Sequence, residues 1–215
     1  MENIVLPPQK VLYDECIEFR LLSPKDSKLI LQGITESLEQ LERFMSWSHH
    51  KMDYEQACRI YAGFQAQAFK GEGLNIGGFD TKTGELLCVA SLVPGSHLNA
   101  KAFELGYWVN SKHTGKGIGT NAARIMVVLA FNHYAADRVS VVCNTENFAS
   151  LAVIRKCGFV YEGNLRNYLC KPTKEMLAAG YSSVREVSTF SIVTEDIQDC
   201  VWFHEYATKL EIISF

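Results

Sequence analysis

The 215 residues fit one compact domain, and 47% hydrophobic content with 12 Phe, 9 Tyr and 3 Trp supplies a sizeable core, which excludes intrinsic disorder. Lys and Arg number 21 against 24 Asp and Glu, and a net charge of -3 argues against nucleic acid or an anionic membrane as the main ligand. The longest apolar run, Ile125 to Phe131, falls short of the roughly 18 residues a bilayer span needs, and Met1 to Lys10 carries no secretory pattern, so a cytoplasmic location is expected.

Cys16 to Leu22 alternates apolar Ile17, Phe19 and Leu21 with Glu18 and Arg20, the period of a half-buried strand. Ser23-Pro24-Lys25-Asp26 supplies an N-cap, a proline at the first helical position and a first-turn acid, predicting a helix to about Arg43. Asp53 caps a second helix ending near Gly71, and the aromatic stretch Phe44 to His50 between the two helices is placed to line a pocket. Leu74 to Phe79, Glu85 to Val93 and Ala102 to Val109 follow as an antiparallel meander with turns at Asp80 to Gly84 and Pro94-Gly95-Ser96. In the last strand Phe103, Leu105, Tyr107 and Val109 form an apolar row, and Glu104 points away from it.

The pattern then changes to β-α-β-α: a glycine turn at Gly115 to Gly119, an apolar helix to about Tyr134, a strand at Arg138 to Cys143 and a helix from about Asn147 to Lys156. Further strands begin at Gly158-Phe159-Val160 and span Val184 to Thr194, which gives an α+β fold, a mixed, mostly antiparallel sheet with helices on both faces. Residues 1–194 read as one domain. Residues 195–215 read as an extension, an amphipathic helix using Ile197, Val201 and His204 or Phe203, packed on the domain or on a second subunit, so monomer and homodimer both stay open. Seven scattered cysteines without a Cys-x-x-Cys pair read as buried free thiols, and no metal site is expected.

Lys112 to Thr120 follows a strand and opens a helix, so unpaired N–H groups at the helix start, the helix dipole and Lys116 together suit a phosphate. A Walker loop is absent, because Lys116 is followed by glycine. A dinucleotide fingerprint can be written as Gly117-x-Gly119-x-x-Ala122 with Asp137 downstream, but the preceding strand belongs to an antiparallel-looking meander rather than to a run of βαβ units.

Three features together resemble the acyl-CoA core of the GNAT superfamily of N-acetyltransferases: the turn Thr114 to Gly119, the run Asn144-Thr145-Glu146-Asn147-Phe148-Ala149-Ser150, and Lys156-Cys157-Gly158-Phe159-Val160-Tyr161-Glu162-Gly163. The Asn-x-x-Ser element, Leu105 to Val109 and the Phe44 to Trp47 loop are similar to the ribosomal-protein N-terminal acetyltransferase (RimJ/RimL-like) branch, and the resemblance covers about residues 15 to 194. Thr114 stands where the superfamily prefers Gln or Arg, Asn164 to Ser183 is long and irregular, and the glutamate that some relatives carry after the Glu162-Gly163 pair has no clear match.

The resemblance implies acetyl transfer from acetyl-CoA to a primary amine in a ternary complex, with a protein N-terminal α-amine as acceptor. A small amine such as a polyamine, amino acid or antibiotic remains the alternative, as do a non-catalytic acyl-CoA-binding module and a dinucleotide-binding protein. It places Trp108 and Val109 along the pantetheine arm, and Gly115, Lys116, Gly117, Ile118, Gly119 and Thr120 around the diphosphate. Asn144 and Asn147 hold the cofactor or cap a helix, and Ser150 meets the CoA sulfur or bonds nearby backbone. Trp47, Phe44 and Tyr107 are assigned to the acceptor side. Glu104 is the candidate base, with Glu162, Tyr168, His49, His50 or an ordered water as alternatives.

Overall fold

The computed structural model describes residues 5–49, 51–95 and 100–215, and for His49 the backbone alone; His50 and Ser96 lie outside the described residues. Nine strands form one sheet in the order β7-β8-β6-β5-β4-β3-β2-β1-β9. In chain order they are β1 (Pro8–Leu12), β2 (Ile17–Leu21), β3 (Leu74–Asp80), β4 (Leu86–Pro94), β5 (Ala102–Val109), β6 (Arg138–Asn144), β7 (Val160–Leu165), β8 (Val187–Val193) and β9 (Glu211–Ser214). All neighbours run antiparallel except β5 and β6.

The helices are α1 (Ser27–Glu36), α2 (Leu38–Glu42), α3 (Tyr54–Phe69), α4 (Ile118–Val128), α5 (Phe148–Lys156), α6 (Lys174–Ala178), α7 (Thr194–Gln198) and α8 (Val201–Lys209). α4 packs on β4 and β5, and α5 and α8 pack beside it. The resulting core includes Phe19, Leu74, Ile76, Leu92, Ile125, Met126, Leu129, Ile154 and Ile192. Each such side chain contributes roughly 1.5–3 kcal/mol by leaving water. α1 and α3 cover the other face over β2 to β4, where Leu22, Ile30, Tyr61, Phe79, Leu86 and Val89 form a second cluster with Trp108 against it.

The helix expected from Ser23 to Arg43 is interrupted. A 3-10 turn (Pro24–Asp26) leads into α1, and Ser37 leaves helical geometry between α1 and α2. Its hydroxyl is recruited from outside the helix, accepting the Ser111 N–H at 2.9 Å, while the Ser111 hydroxyl donates to the Glu36 carbonyl at 2.7 Å. The apolar helix after the glycine turn also changes at its end, widening into a π segment over Leu129–His133.

The tail departs from a single helix. Ile197, Phe203 and Tyr206 are buried, whereas Val201 is 80% exposed and His204 faces solvent. Tyr206 stacks on Tyr13 with ring centroids 4.1 Å apart and donates to Asn121 Oδ1 at 2.7 Å, and Arg124 lies over the Trp202 ring. The last residues turn into β9, which adds to the edge of β1 with Val11 opposite Ile212.

Candidate active site

β5 and β6 pair at only three positions, Ala102 with Arg138, Phe103 with Val139 and Glu104 with Ser140. Beyond these the two parallel strands part, so a wedge opens between their C-terminal ends. On its other edge β5 stays paired with β4 as far as Val109. The Asn110 N–H donates to the Leu87 carbonyl on β4, so by strand alternation the N–H groups of Val109 and Tyr107 point into the wedge. This leaves β5 a free backbone edge against which an extended chain could lie.

Each arm of the wedge runs into a helix. The turn after β5 carries Gly115 at φ +76° and Gly117 at φ +82°, values that an L side chain resists. Gly117 is the N-cap of α4 with no side-chain hydrogen bond, and the space beside both glycines is open. The first N–H groups of α4 therefore start beside open space, and Lys116 is exposed there with its ammonium 3.5 Å from His113 Nδ1. Ile118 is buried, and Gly119 packs where an added Cβ would stand 3.2 Å from the Val109 side chain. Thr120 sits half-buried in the first turn of α4.

The turn after β6 is built differently. Asn144 is buried, its amide donating to the Val184 carbonyl at 2.9 Å and its oxygen accepting from the Glu146 N–H. Asn147 caps α5 through an Oδ1 that accepts the Ser150 N–H at 3.1 Å. Both side chains thus bond the protein's own backbone, and the group this turn presents to the wedge is Ser150. Its hydroxyl lies 2.9 Å from Tyr107 Oη, with the Ser150 carbonyl 3.3 Å from the same oxygen. Burial pushes the Tyr107 hydroxyl well above the ordinary tyrosine value and also raises the Cys143 thiol, which faces the Asn144 and Asn147 carbonyls.

Two expected placements change. Trp108 turns its ring away from the wedge, with Cη2 3.1 Å from where a Cβ on Gly33 of α1 would stand. Tyr107 points to the α4–α5 side and joins Ser150, away from the aromatic loop. That loop holds Trp47 at the surface and Phe44 half-buried under Arg43, and the Ser182 N–H donates to the Arg43 carbonyl at 3.0 Å.

Glu104 lies at the last paired position before the wedge, on the face opposite Tyr107 and beyond the cover of α1 and α3. Partial desolvation raises its carboxyl pKa. The same face carries features that sequence reasoning passed over. Arg138 holds Glu162 through both oxygens at 2.7 and 2.5 Å, and Ser191 donates to Glu162 at 2.8 Å. The signal was available as polar residues at period two, Arg138 and Ser140 on β6 and Thr189 and Ser191 on β8. Among the described residues no three His, Cys, Asp or Glu side chains gather as a metal site, and no helix is long and apolar enough to cross a membrane.

A model of the acetyltransferase (GNAT) domain family matches residues 17–160. YdaF of Bacillus subtilis (strain 168), provisionally named a ribosomal N-acetyltransferase, is 30% identical over 157 residues, covering 73% of this chain and 84% of that protein. The ribosomal-protein-serine acetyltransferase of Escherichia coli (strain K12) is 25% identical over 162 residues, covering 74% and 87%. Among solved structures, RimL, a ribosomal L7/L12 α-N-protein acetyltransferase in complex with coenzyme A, shares the fold with a TM-score of 0.73 at 19% identity, over 87% of this chain and 99% of its own.

Proposed function

The chain belongs to the GNAT acetyltransferase family, and from that premise we propose that it moves an acetyl group from acetyl-CoA directly to the α-amine of a protein N-terminus, of the ribosomal type. The observation that carries the reading is the wedge between β5 and β6, flanked by the uncapped start of α4 on one arm and Ser150 on the other. The diphosphate sits on the N–H groups of the turn at Gly115 to Thr120 with Lys116 nearby. The pantetheine arm lies along the free edge of β5, and the N–H of Val109 meets the acyl carbonyl. Asn144 and Asn147 hold the second turn in shape rather than touching cofactor, and Trp108 contributes backbone only.

The acceptor approaches from the polar face of β5, β6, β8 and β7, opposite the cofactor helices. Its neutral amine attacks the thioester carbonyl, the C–S bond breaks, the electron pair leaves on sulfur, and the surplus amine proton passes through Glu104 to solvent. Glu104 suits this role better than Glu162, because Arg138 and Ser191 already occupy both Glu162 oxygens. Direct transfer is favoured over a covalent acetyl-enzyme because the thiol nearest the wedge, Cys143, is held protonated by burial. The names of the two curated relatives favour a protein N-terminus over a polyamine, amino acid or antibiotic.

Thiol release from acetyl-CoA, measured with Ser- and Ala-initiated peptides against spermidine and free amino acids, tests the acceptor. A higher kcat/KM for the peptides is expected; preference for a small amine overturns it. Because the Glu104 pKa is raised, the base form is lost as pH falls through a value above 4.5, so turnover has an acidic limb there. Glu104→Gln lowers kcat on the order of a hundredfold and removes that limb. An acetylated enzyme accumulating without acceptor would refute direct transfer.

A further inference from the structure

We propose that Tyr107 is a positioning residue that fixes the direction of the Ser150 hydroxyl, so that its single proton is aimed at the departing CoA sulfur. The inference rests on the acetyl-CoA reading of the wedge and assigns a role to a side chain that the acceptor does not touch.

A serine hydroxyl has one proton and two lone pairs, and a phenol has one proton and is the stronger acid of the two. Tyr107 Oη has two acceptors within reach, Ser150 Oγ at 2.9 Å and the Ser150 carbonyl at 3.3 Å, and both belong to one residue. The 2.9 Å contact admits either oxygen as donor, and in the proposed arrangement the phenol, the stronger acid, gives its proton to Ser150 Oγ. Were the direction reversed, Ser150 would spend its proton on Tyr107 and have none for a thiolate. Burial keeps the phenol neutral, so the donor persists across the working pH range.

With the phenol donating to its oxygen, the Ser150 hydroxyl keeps its own proton free for the CoA sulfur in the wedge. When the C–S bond of the thioester breaks, the pair left on CoA sulfur accepts this hydrogen bond. No proton leaves Ser150 or Tyr107, because a phenol with a raised pKa cannot protonate a thiolate of ordinary pKa about 8.5 to any useful extent. The proton that completes the free thiol is the one released by the acceptor amine or one from solvent.

Tyr107 is joined to Ser150 across the wedge rather than along the chain, for it stands on β5 and Ser150 on the helix after β6. Its ring also packs 4.0 Å from where a Cβ on Gly119 would stand, so Tyr107→Phe keeps the packing and removes only the donor.

The test compares wild type, Tyr107→Phe, Ser150→Ala and the double variant. CoA binding is measured by calorimetry, and the thiol of bound CoA is titrated by the ultraviolet absorbance of its thiolate. A hydrogen bond to the thiolate lowers that pKa. It is therefore expected to rise in Ser150→Ala, to rise in Tyr107→Phe, and to rise no further in the double variant. With acetyl-CoA and a Ser-initiated peptide, kcat should fall about tenfold in Tyr107→Phe with KM for acetyl-CoA unchanged, and Tyr107→Phe should have no effect once Ser150 is alanine. A Tyr107→Phe variant that titrates and turns over like wild type, or effects that add in the double variant, overturns the proposal. Failure of every variant, wild type included, to bind CoA would instead overturn the acetyl-CoA reading on which it stands.

Discussion

The two turns that leave the parallel strands start from the same geometry and solve opposite problems. After β6, Asn147 spends its side chain on the Ser150 N–H and Asn144 ties the turn to Val184, so the start of α5 satisfies itself and has nothing left to offer an anion. After β5, Gly117 caps α4 with no side chain at all, and the first N–H groups of α4 stay open. A helix start that a side chain has capped is a structural joint, whereas one capped by glycine is a vacant anion seat. Two neighbouring β-to-α turns thus divide the labour. One receives phosphate, and the other positions a hydroxyl.

The sharpest way to break this contrast is to fill the vacant seat. Gly117→Val places a β-branched residue at φ +82°, costing about 1–2 kcal/mol of backbone strain, and puts a side chain where phosphate oxygens would lie. Affinity for CoA should fall on the order of a hundredfold or more by calorimetry, with a smaller drop in thermal midpoint. Unchanged affinity would place the diphosphate elsewhere. On the other turn, Ser150→Ala should lower kcat by roughly 10²-fold, the scale of one well-placed catalytic hydrogen bond, and leave the dissociation constant of acetyl-CoA alone. Asn147→Ala comes next. It should cost about 1 kcal/mol of stability as a lost cap, lowering the thermal midpoint several degrees, and reduce turnover only through the displacement of Ser150.

The glycine turn could be read in the sequence because its signal is local: Gly115, Gly117 and Gly119 lie within five residues and a helix follows. The meander β3-β4-β5 was legible for the same reason, each strand a short, largely apolar run and each turn marked. Distant pairing was not. β1 contains Pro8 and few apolar residues, and β9 carries Ile212 beside Ile213 without alternation, so neither shows a strand period by itself. β9 finds its ladder only on β1, at the other end of the chain, and β1 is held between β9 and β2. The break at Ser37 was hidden likewise, since the group that draws its hydroxyl away is Ser111, on another element. At the site, residue types were legible and directions were not. The alternation of β5 put Glu104 on the correct face, yet nothing local told that Tyr107 reaches Ser150 or that Trp108 packs beneath α1.

The smallest expected effect concerns how the uncapped turn keeps its shape. Lacking a cap of its own, it leans on α1. Asn110 donates to Glu36 Oε2 at 2.8 Å, Lys112 pairs with Glu36 Oε1 at 2.7 Å, and Gln32 donates to the same oxygen at 3.0 Å. The Lys112 bond is the largest of the influences that lower the Glu36 carboxyl from 4.5 to about 2, with Gln32 and Asn110 adding to it. A carboxylate with a depressed folded-state pKa adds stability that is complete above the unfolded value and lost as pH falls through the folded one. The brace should therefore weaken between pH 4.5 and about 2. Glu36→Gln keeps an acceptor for Asn110 and removes the titration, so its thermal midpoint should fall less than wild type's between neutral pH and about pH 3. The affinity for CoA should follow the same order, because what loosens is the turn that holds the diphosphate. Asn147→Ala should show the wild-type pH slope, since the cap of the second turn does not ionise. Equal slopes for wild type and Glu36→Gln would mean that the glycine turn holds its shape without α1, and the contrast between a braced turn and a self-capped one would fall.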